Sequence, residues 1–187
     1  KKKVAIDIYC WLHKAAYGCS LELCQNIPTD AYITYCMKRL NLFLENNVTP
    51  VVVFDGGHLP IKLGTEKERR RTREEYKSRG MAFLREGNVN AARECFQKAV
   101  DITPYMAHKL IKVLRQHNIE YIVAPYEADA QLAFLSLTNY VDCVVTEDSD
   151  LIAYGCGMVL FKLDNYGNGK AIKLANLGAT KNPSFAN

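Results

Sequence analysis

Acidic side chains interrupt or follow the apolar runs of this 187-residue sequence. Asp7 interrupts the run VAIDIY, Asp55 directly follows VVVF, and Asp148 and Asp150 come after VVTE. In parallel α/β sheets the carboxyl ends of the strands face one crevice, so three separate strands would deliver carboxylates to the same edge. Carboxylate oxygens are the ligands of hard divalent cations such as Mg²⁺. The pattern therefore predicts a metal site at this edge.

The segment APYEADAQL adds Glu127 and Asp129 to the acidic set. Positions two apart on an ideal helix point about 200° apart, so both side chains can face one site only if Glu127 lies at the start of a helix. Pro125 favours a helix start at that point. Asp148 and Asp150 are also two residues apart, and they share a side if the chain there is still extended.

Converging carboxylates with no Lys or Arg in the nearby sequence would repel one another and acquire raised pKa values unless cations were bound. Two ions roughly 3.5–4 Å apart can activate a water molecule and stabilise the leaving oxygen of a phosphodiester. No His or Cys accompanies the acidic residues, which disfavours zinc. The alternative for single residues is structural, because Asp55 could form a turn with the two glycines after it and the DSD segment could cap a short helix. The predicted ligands are Asp7, Asp55, Glu127, Asp129, Asp148 and Asp150.

The formal net charge of +4 hides a strong separation of charge along the chain. Residues 61–80 carry eight basic and four acidic side chains, whereas residues 120–150 carry seven acidic side chains and no Lys or Arg. On a helix, one stripe would contain Lys62, Arg69, Arg73 and Lys77. Such a stripe suits a phosphate backbone, with binding that weakens steeply as salt rises. A metal site beside a basic helix indicates a nuclease rather than a small-molecule phosphatase. The alternative for the basic segment is an ordinary charged helix that faces solvent.

Short β-branched runs alternate with longer helical patterns, which predicts an α/β fold with a mainly parallel central sheet flanked by helices. The predicted strands are Val4–Ile8, Val51–Phe54, Tyr121–Val123, Cys143–Thr146 and Met158–Leu163. The predicted helices are Asp30–Glu45, Glu66–Arg85, Val89–Val100, Pro104–Gln116 and Tyr126–Ser136. Thr29 or Asp30 could cap the first of these helices, and Thr103 the fourth.

Composition limits the remaining alternatives. A 49% apolar and 24% charged chain of this length is typical of one globular domain, and no apolar run is long enough to span a membrane. Seven cysteines without a C-x-x-C pair indicate reduced thiols; a metal cluster of Cys10, His13, Cys19 and Cys24 is the alternative. Residues 82–109 resemble one tetratricopeptide unit, but such units need neighbouring copies, so we expect a helical hairpin instead of a peptide-binding adaptor.

Several long motifs, in the correct order, resemble the flap endonuclease family of structure-specific 5′ nucleases. They are VAIDIYCWLHK, VVVFDG, REGNVNAARECFQKAVDIT, APYEADAQLAFL, VTEDSDLIAYG and LDNYGNG. The resemblance implies a PIN-like 5′ nuclease fold with a basic helical arch, and a 5′→3′ double-stranded DNA exonuclease with 5′ flap endonuclease activity. It further implies two Mg²⁺ ions, which Mn²⁺ could replace, and DNA with nicks, gaps, 5′ ends or 5′ flaps as the partner. A nuclear location, mismatch-repair proteins as partners and action in mismatch repair and end resection also belong to this resemblance, and no membrane is involved.

Carried over residue by residue, the resemblance assigns the same six carboxylates to metal ligation. It makes Lys62 and Arg69 the arch cations that engage the scissile phosphate and the 5′ strand. Tyr9 and His13 match a segment that stacks on or wedges against DNA near the junction, although a packed-core role is equally open for Trp11 and His13.

Two departures from the family pattern affect the expected domain organisation. The family's short segment beginning Met-Gly is absent, and after Leu177 the chain reads GATKNPSFAN and loses the pattern. We therefore expect a partial nuclease domain over residues 1–177, with the arch at about 61–103, and a divergent tail over 178–187. A further metal ligand in a Gly-Cys-Asp motif and a duplex-gripping helix-two-turn-helix element would be missing. The alternatives are a catalytically impaired DNA-binding fragment and a related RNA-cleaving nuclease.

Overall fold

The computed structural model describes residues 1–57 and 59–179. Within them the backbone forms two compact units. The sheet unit comprises Lys1–Cys10, Lys38–Gly57 and the chain from Val113 onward, and the helical unit comprises Trp11–Met37 and His58–Lys112. The expected tail at 178–187 lies mostly outside the described residues, and the proposed domain boundaries stay a prediction.

A six-stranded sheet forms the centre of the sheet unit. Its strands are β1 Lys3–Asp7, β2 Thr49–Phe54, β3 Glu120–Val123, β4 Cys143–Val145, β5 Met158–Phe161 and β6 Lys170–Lys173. They are arranged in the order β3-β2-β1-β4-β5-β6, and all neighbouring pairs are parallel except the antiparallel β5–β6 pair. The mainly parallel α/β fold predicted from the sequence is confirmed.

Eight α-helices connect or precede these strands in the described part of the chain. They are α1 Ile8–Gly18, α2 Ser20–Cys24, α3 Ala31–Glu45, α4 Leu63–Arg85, α5 Val89–Ala99, α6 Pro104–Gln116, α7 Ala128–Leu137 and α8 Asp150–Ala153. Short 3₁₀ turns occupy Pro60–Lys62 and Leu174–Ala179. No helix in the ranges the structure covers is both long and apolar enough to cross a membrane.

The central strands are buried because both faces of a parallel sheet are covered by helices. Ala5, Val51 and Val144 have no exposed surface, and Leu132 of α7 packs with them in the main apolar cluster of the sheet unit. Residues on neighbouring strands align directly, with Ile6 opposite both Val52 and Val145. This alignment brings the carboxyl ends of β2, β1 and β4 level with one another.

The helical unit is built around the α4–α5 hairpin. Gly87 has a positive φ of 77° at the turn, and Asn88 then caps α5 by accepting a hydrogen bond from the amide of Ala91 at 3.1 Å. Near the end of α4, Gly80 is buried against the ring of Phe96, where a Cβ atom would lie 2.5 Å from a ring carbon. The missing side chain therefore lets the two helices pack closely, and the helical hairpin predicted for this region is confirmed.

Four helices end in the same way, with an asparagine in the left-handed region. These residues are Asn26, Asn47, Asn118 and Asn139. In each case the amide of the next residue donates a hydrogen bond five residues back into the helix, as Val48 does to Phe43 at 2.9 Å. This is the hydrogen bond of the Schellman motif, in which a residue with positive φ ends the helix.

Candidate metal centre

Asp7 is the last residue of β1, and its buried carboxylate is held by three protein donors. Oδ1 accepts a hydrogen bond from the amide of Tyr9 at 3.1 Å. Oδ2 accepts from the thiol of Cys10 at 2.8 Å and from the hydroxyl of Thr146 at 2.9 Å. Burial, followed by the negative charge of Asp7, raises the pKa of Cys10 to about 12, so this thiol is a neutral donor at physiological pH. The orientation of the Asp7 carboxylate is therefore determined by its neighbours.

Thr146 connects the ends of β1 and β4. Its side chain is buried, and its hydroxyl oxygen accepts a hydrogen bond from the amide of Asp148 at 3.0 Å while the hydroxyl donates to Asp7. One side chain thus couples two of the predicted metal ligands. Thr146 was not identified as a site residue from the sequence, and Cys10 was considered only as a ligand in the alternative cysteine–histidine cluster. The only available signal was that Thr146 is the first polar residue after the buried run CVV.

Asp55 connects the end of β2 to the start of α7. Its Oδ1 accepts a hydrogen bond from the amide of Ala128, the first residue of α7, at 2.7 Å. The next residue permits a very close approach of two backbones, because a Cβ atom on Gly56 would lie 1.8 Å from the carbonyl oxygen of Ala124. The Gly56 amide also donates to the Tyr126 carbonyl at 2.6 Å. The carboxylate caps a helix while remaining part of the acidic edge.

The predicted helix start at Glu127 is confirmed. Glu127 has extended backbone angles and immediately precedes α7, while Asp129 lies in the first turn. The pKa of Asp129 is raised to about 6, first by burial and then by the negative charges of Asp7, Asp148, Asp55 and Glu127, in that order. Five of the six predicted ligands are therefore close enough to interact electrostatically.

The chain after β4 does not stay extended, so the condition under which Asp148 and Asp150 would share a side is not met. Ser149 has helical backbone angles, and the amide of Asp150 donates to Oδ1 of Asp148 at 2.9 Å at the start of α8. The strand β4 ends at Val145, so no strand pairing holds the backbone at Asp148 extended. The hydrogen bond to the Asp148 side chain therefore stabilises a turn there. Asp148 and Asp150 are both exposed, and Asp150 is not among the charges that act on Asp129.

The carboxylate oxygens at this sheet edge suit a hard divalent cation, but they do not surround a single position. Among the described residues, no group of three or more His, Cys, Asp or Glu side chains is arranged to hold a metal ion. Carboxylates repel one another without a cation between them, and here Asp7 and Asp55 are engaged by protein donors. Burial and then the neighbouring carboxylates raise the pKa of Asp129, and a bound Mg²⁺ ion would offset the repulsion from those carboxylates.

The predicted DNA-binding residues of the helical unit divide into two groups. Lys62 and Arg69 are exposed, and Arg69 pairs with Glu66 at 2.9 Å on the same helix. Arg73 is half-buried and forms an ion pair with Asp101 at 3.0 Å. Lys77 is also half-buried and lines a cavity. The predicted stripe is therefore solvent-facing at its first half and turned toward other helices at its second half.

The helix α1 carries the other predicted DNA contacts. Tyr9 and His13 lie one turn apart on it, with His13 exposed and Tyr9 half-buried. Trp11, by contrast, is 2% exposed and belongs to the core. The alternative metal cluster is not formed, because the thiols of Cys10, Cys19 and Cys24 bond to Asp7 and to backbone carbonyls. All seven cysteines are free thiols.

Comparison with known proteins identifies two family regions in the chain. The XPG N-terminal domain matches residues 1–76, and the XPG I-region matches residues 118–183. Exonuclease 1 of Arabidopsis thaliana is 51% identical over 183 residues, which are 98% of this chain and 25% of that protein. The chain belongs to the flap endonuclease family. The two matched regions contain all six acidic residues, and most of the α4–α5 hairpin lies between them.

Solved structures of low sequence identity share the fold of this chain. The catalytic core of Rad2 in complex with DNA substrate has a TM-score of 0.63 and 23% identity, covering 96% of this chain and 49% of that one. Human GEN1 in complex with Holliday junction DNA has a TM-score of 0.61 and 16% identity, covering 95% of this chain and 39% of that one. The chain spans about a quarter of the length of the curated Exonuclease 1 relative.

Proposed function

We propose that the chain is the divalent-metal-dependent part of a 5′→3′ double-stranded DNA exonuclease with 5′ flap endonuclease activity. The observation that carries this proposal is the convergence of carboxylates from the ends of three adjacent parallel strands and the start of α7. The proposal also draws on family membership and on the Exonuclease 1 relative.

The residues that would hold the metal are the acidic side chains at this sheet edge. Bound divalent cations would supply an activated water molecule and neutralise charge on the phosphate oxygens. Two Mg²⁺ ions are proposed, with Mn²⁺ able to replace them. A GEN1 structure of the same fold contains product DNA together with Mg²⁺ and Mn²⁺ ions, which supports this choice. The proposed ligands are Asp7, Asp55, Glu127, Asp129, Asp148 and Asp150.

The other residues of the chain would bind and orient the DNA. Lys62 and Arg69 would neutralise charge on the scissile phosphate and guide the 5′ strand, because both are exposed cations at the start of α4. Tyr9 and His13 would stack against bases near the junction. Thr146 and Cys10 would hold one oxygen of Asp7 and thereby orient its other oxygen. We further propose that the protein acts in the nucleus, in mismatch repair and end resection.

The test is cleavage of matched substrates that differ only in their sugar. The chain is incubated with Mg²⁺ and with nicked or 5′-flapped DNA labelled at its 5′ end, and in parallel with RNA of the same shape. Mg²⁺-dependent release of short 5′ products from DNA, with slower or no release from RNA, is expected. Preferential RNA cleavage would identify an RNA-cleaving nuclease, and DNA retention without cleavage would identify a binding fragment; either result overturns the proposal.

A further inference from the structure

A cavity of about 460 Å³ lies within the helical unit and has no part in the proposed metal chemistry. It is bounded by the α2–α3 loop, by α4, and by the segment that connects α5 to α6. A cavity of this volume is within the range of sites for small molecules and for single units of a polymer. Its apolar surface comes mainly from Leu23, Ile27, Pro28, Tyr32, Val100 and Met106.

Two lysines, Lys77 and Lys109, line the cavity, and they differ in their ion pairs with the described residues. Lys109 is bonded to Asp30, and Asp101 is paired with Arg73. Lys77 forms no ion pair within residues 1–57 and 59–179. Cys24 lines the same cavity, and the positive charge of Lys77 opposes the rise that burial causes in the pKa of the Cys24 thiol. A half-buried, uncompensated ammonium favours an anionic ligand.

The apolar wall favours a ligand that is also flat or aromatic. Tyr32 is 1% exposed and forms part of the wall, whereas Tyr105 is 69% exposed at the same cavity. Ile27 is 48% exposed beside them. Exposed aromatic and aliphatic side chains around an apolar recess suit a planar ring, because each unstacked base has a π-face that packs on them. A ring with a phosphate attached matches both the wall and Lys77.

We propose that this cavity binds one unstacked nucleotide of single-stranded DNA, with the base against the apolar wall and the phosphate at Lys77. The inference rests on the proposed function, because it assigns the cavity to the same DNA strand. Lys62 and Lys77 are 15 positions apart on the basic stripe, which is roughly 22 Å along a helix. A strand that follows the exposed half of the stripe would reach the cavity at its far end.

Binding is tested with thymidine 5′-monophosphate and with the single strand (dT)₈, measured by NMR chemical-shift changes and by fluorescence anisotropy. Native protein is expected to bind (dT)₈ at least tenfold more tightly than the mononucleotide, with shifts at cavity residues in both cases. Lys77→Gln should weaken both interactions at least fivefold. The matched control is Lys67→Gln, which removes an exposed charge from the same helix without altering the cavity. Equal losses in the two variants would overturn the proposal.

A second variant tests the apolar wall of the cavity without changing Lys77. Ile27→Trp enlarges a half-exposed side chain at the cavity, so it should reduce binding without loss of folding. If (dT)₈ binds no more tightly than the mononucleotide, the cavity is a site for free nucleotides and the assignment to a DNA strand is overturned. Unchanged binding by the Ile27→Trp variant would also overturn it. Mg²⁺-dependent cleavage is measured in the same preparations. Active protein without cavity binding would refute this inference alone, whereas inactive protein that binds would refute only the proposed function.

Discussion

At the scale of single residues, the orientation of Asp7 depends on two side chains that are not themselves acidic. Thr146 and Cys10 both donate to Oδ2 of Asp7, and Thr146 also accepts from the amide of Asp148. Partners of metal ligands fix the ligand's direction and typically change metal affinity by about 10–100-fold when they are removed. We therefore treat Thr146 as a positioning residue.

The first prediction is that Thr146→Val weakens Mg²⁺ binding by about tenfold or more, because the similar-sized side chain has no hydroxyl. Thr146→Ser retains the hydroxyl and should restore most of the affinity. Titration calorimetry with Mg²⁺ and Mn²⁺ measures this directly, and thermal melting in chelator separates it from a general loss of stability. Equal metal affinity for the valine and native proteins would show that the hydrogen bonds do not matter.

A second prediction concerns Asp129 and pH. The pKa of this carboxyl is raised from 3.8 to about 6, so in chelator its contribution to stability is complete below about pH 3.8 and is lost as pH rises through 6. Asp129→Asn should therefore raise the melting temperature at pH 8 by about 2 °C, roughly 1 kcal/mol after allowing for solvent screening at this half-buried site. At pH 4 the native and Asp129→Asn proteins should have the same melting temperature. A larger gain at pH 4 than at pH 8 would reverse the assigned sign.

The sequence identified the acidic residues but not how each is held. Strand ends and the Pro125 signal were enough to bring Asp7, Asp55 and Glu127 to one edge. After Asp148 the sequence left an extended chain and a short helix both open, and the structure has the helix, with a hydrogen bond from the Asp150 amide to the Asp148 side chain. The role of Thr146 depends on its hydrogen bond to Asp7, 139 residues away in sequence, which no local pattern reports.

At the scale of secondary-structure elements, the α4–α5 hairpin depends on close packing at Gly80. Glycine inside a helix normally costs about 0.5–1 kcal/mol relative to alanine, so alanine should stabilise a helix where space allows. A Cβ atom added to Gly64 on the same helix would meet no other atom within 4 Å, whereas one added to Gly80 would meet the buried ring of Phe96.

The third prediction contrasts these two positions. Gly80→Ala should destabilise the chain by about 1–3 kcal/mol, because the added methyl group displaces the ring of Phe96 from a packed site. Gly64→Ala should be neutral or stabilising by up to about 1 kcal/mol. Urea denaturation of both variants gives the free energies of unfolding. A stabilised Gly80→Ala protein would mean that the hairpin does not need the close approach.

The helix α6 was predicted closely, whereas α2, α8 and β6 were not predicted. The bounds of α6 agree with the prediction at both ends, and Thr103 caps it through the Met106 amide at 3.3 Å. The strand β6 was not predicted because its sequence, KAIK, is mostly exposed at the edge of the sheet. A strand with no buried face need not alternate apolar and polar residues. The helix α1 begins directly at Ile8, so no turn signal separates it from β1.

At the scale of the whole molecule, charge is divided between a negative and a positive stretch of the chain. The acidic stretch belongs to the sheet unit and the basic stretch to the helical unit. This division suits a DNA substrate. Metal cations bound by the acidic stretch would neutralise phosphate charge, and so would the Lys and Arg side chains of the basic stretch.

The fourth prediction addresses the positive stretch. Replacing Lys62 and Arg69 by alanine should weaken binding of a 5′-flapped DNA and slow its cleavage. If each residue contacts one phosphate of the single strand, the slope of log affinity against log salt should fall by about 1.4. Binding titrations from 50 to 200 mM salt measure the slope. An unchanged slope would place the DNA-contacting cations elsewhere.

The central claim is that the acidic sheet edge binds the metal that cleaves DNA, and Asp148→Ala tests it most directly. Mg²⁺-dependent release of 5′ nucleotides is measured beside DNA affinity in the native protein, in Asp148→Ala, and in Glu45→Ala, which removes an exposed carboxylate from the end of α3. Cleavage is expected to be abolished only in Asp148→Ala, with DNA affinity retained in all three proteins. Native cleavage rates in Asp148→Ala, at any Mg²⁺ concentration tested, would contradict the claim.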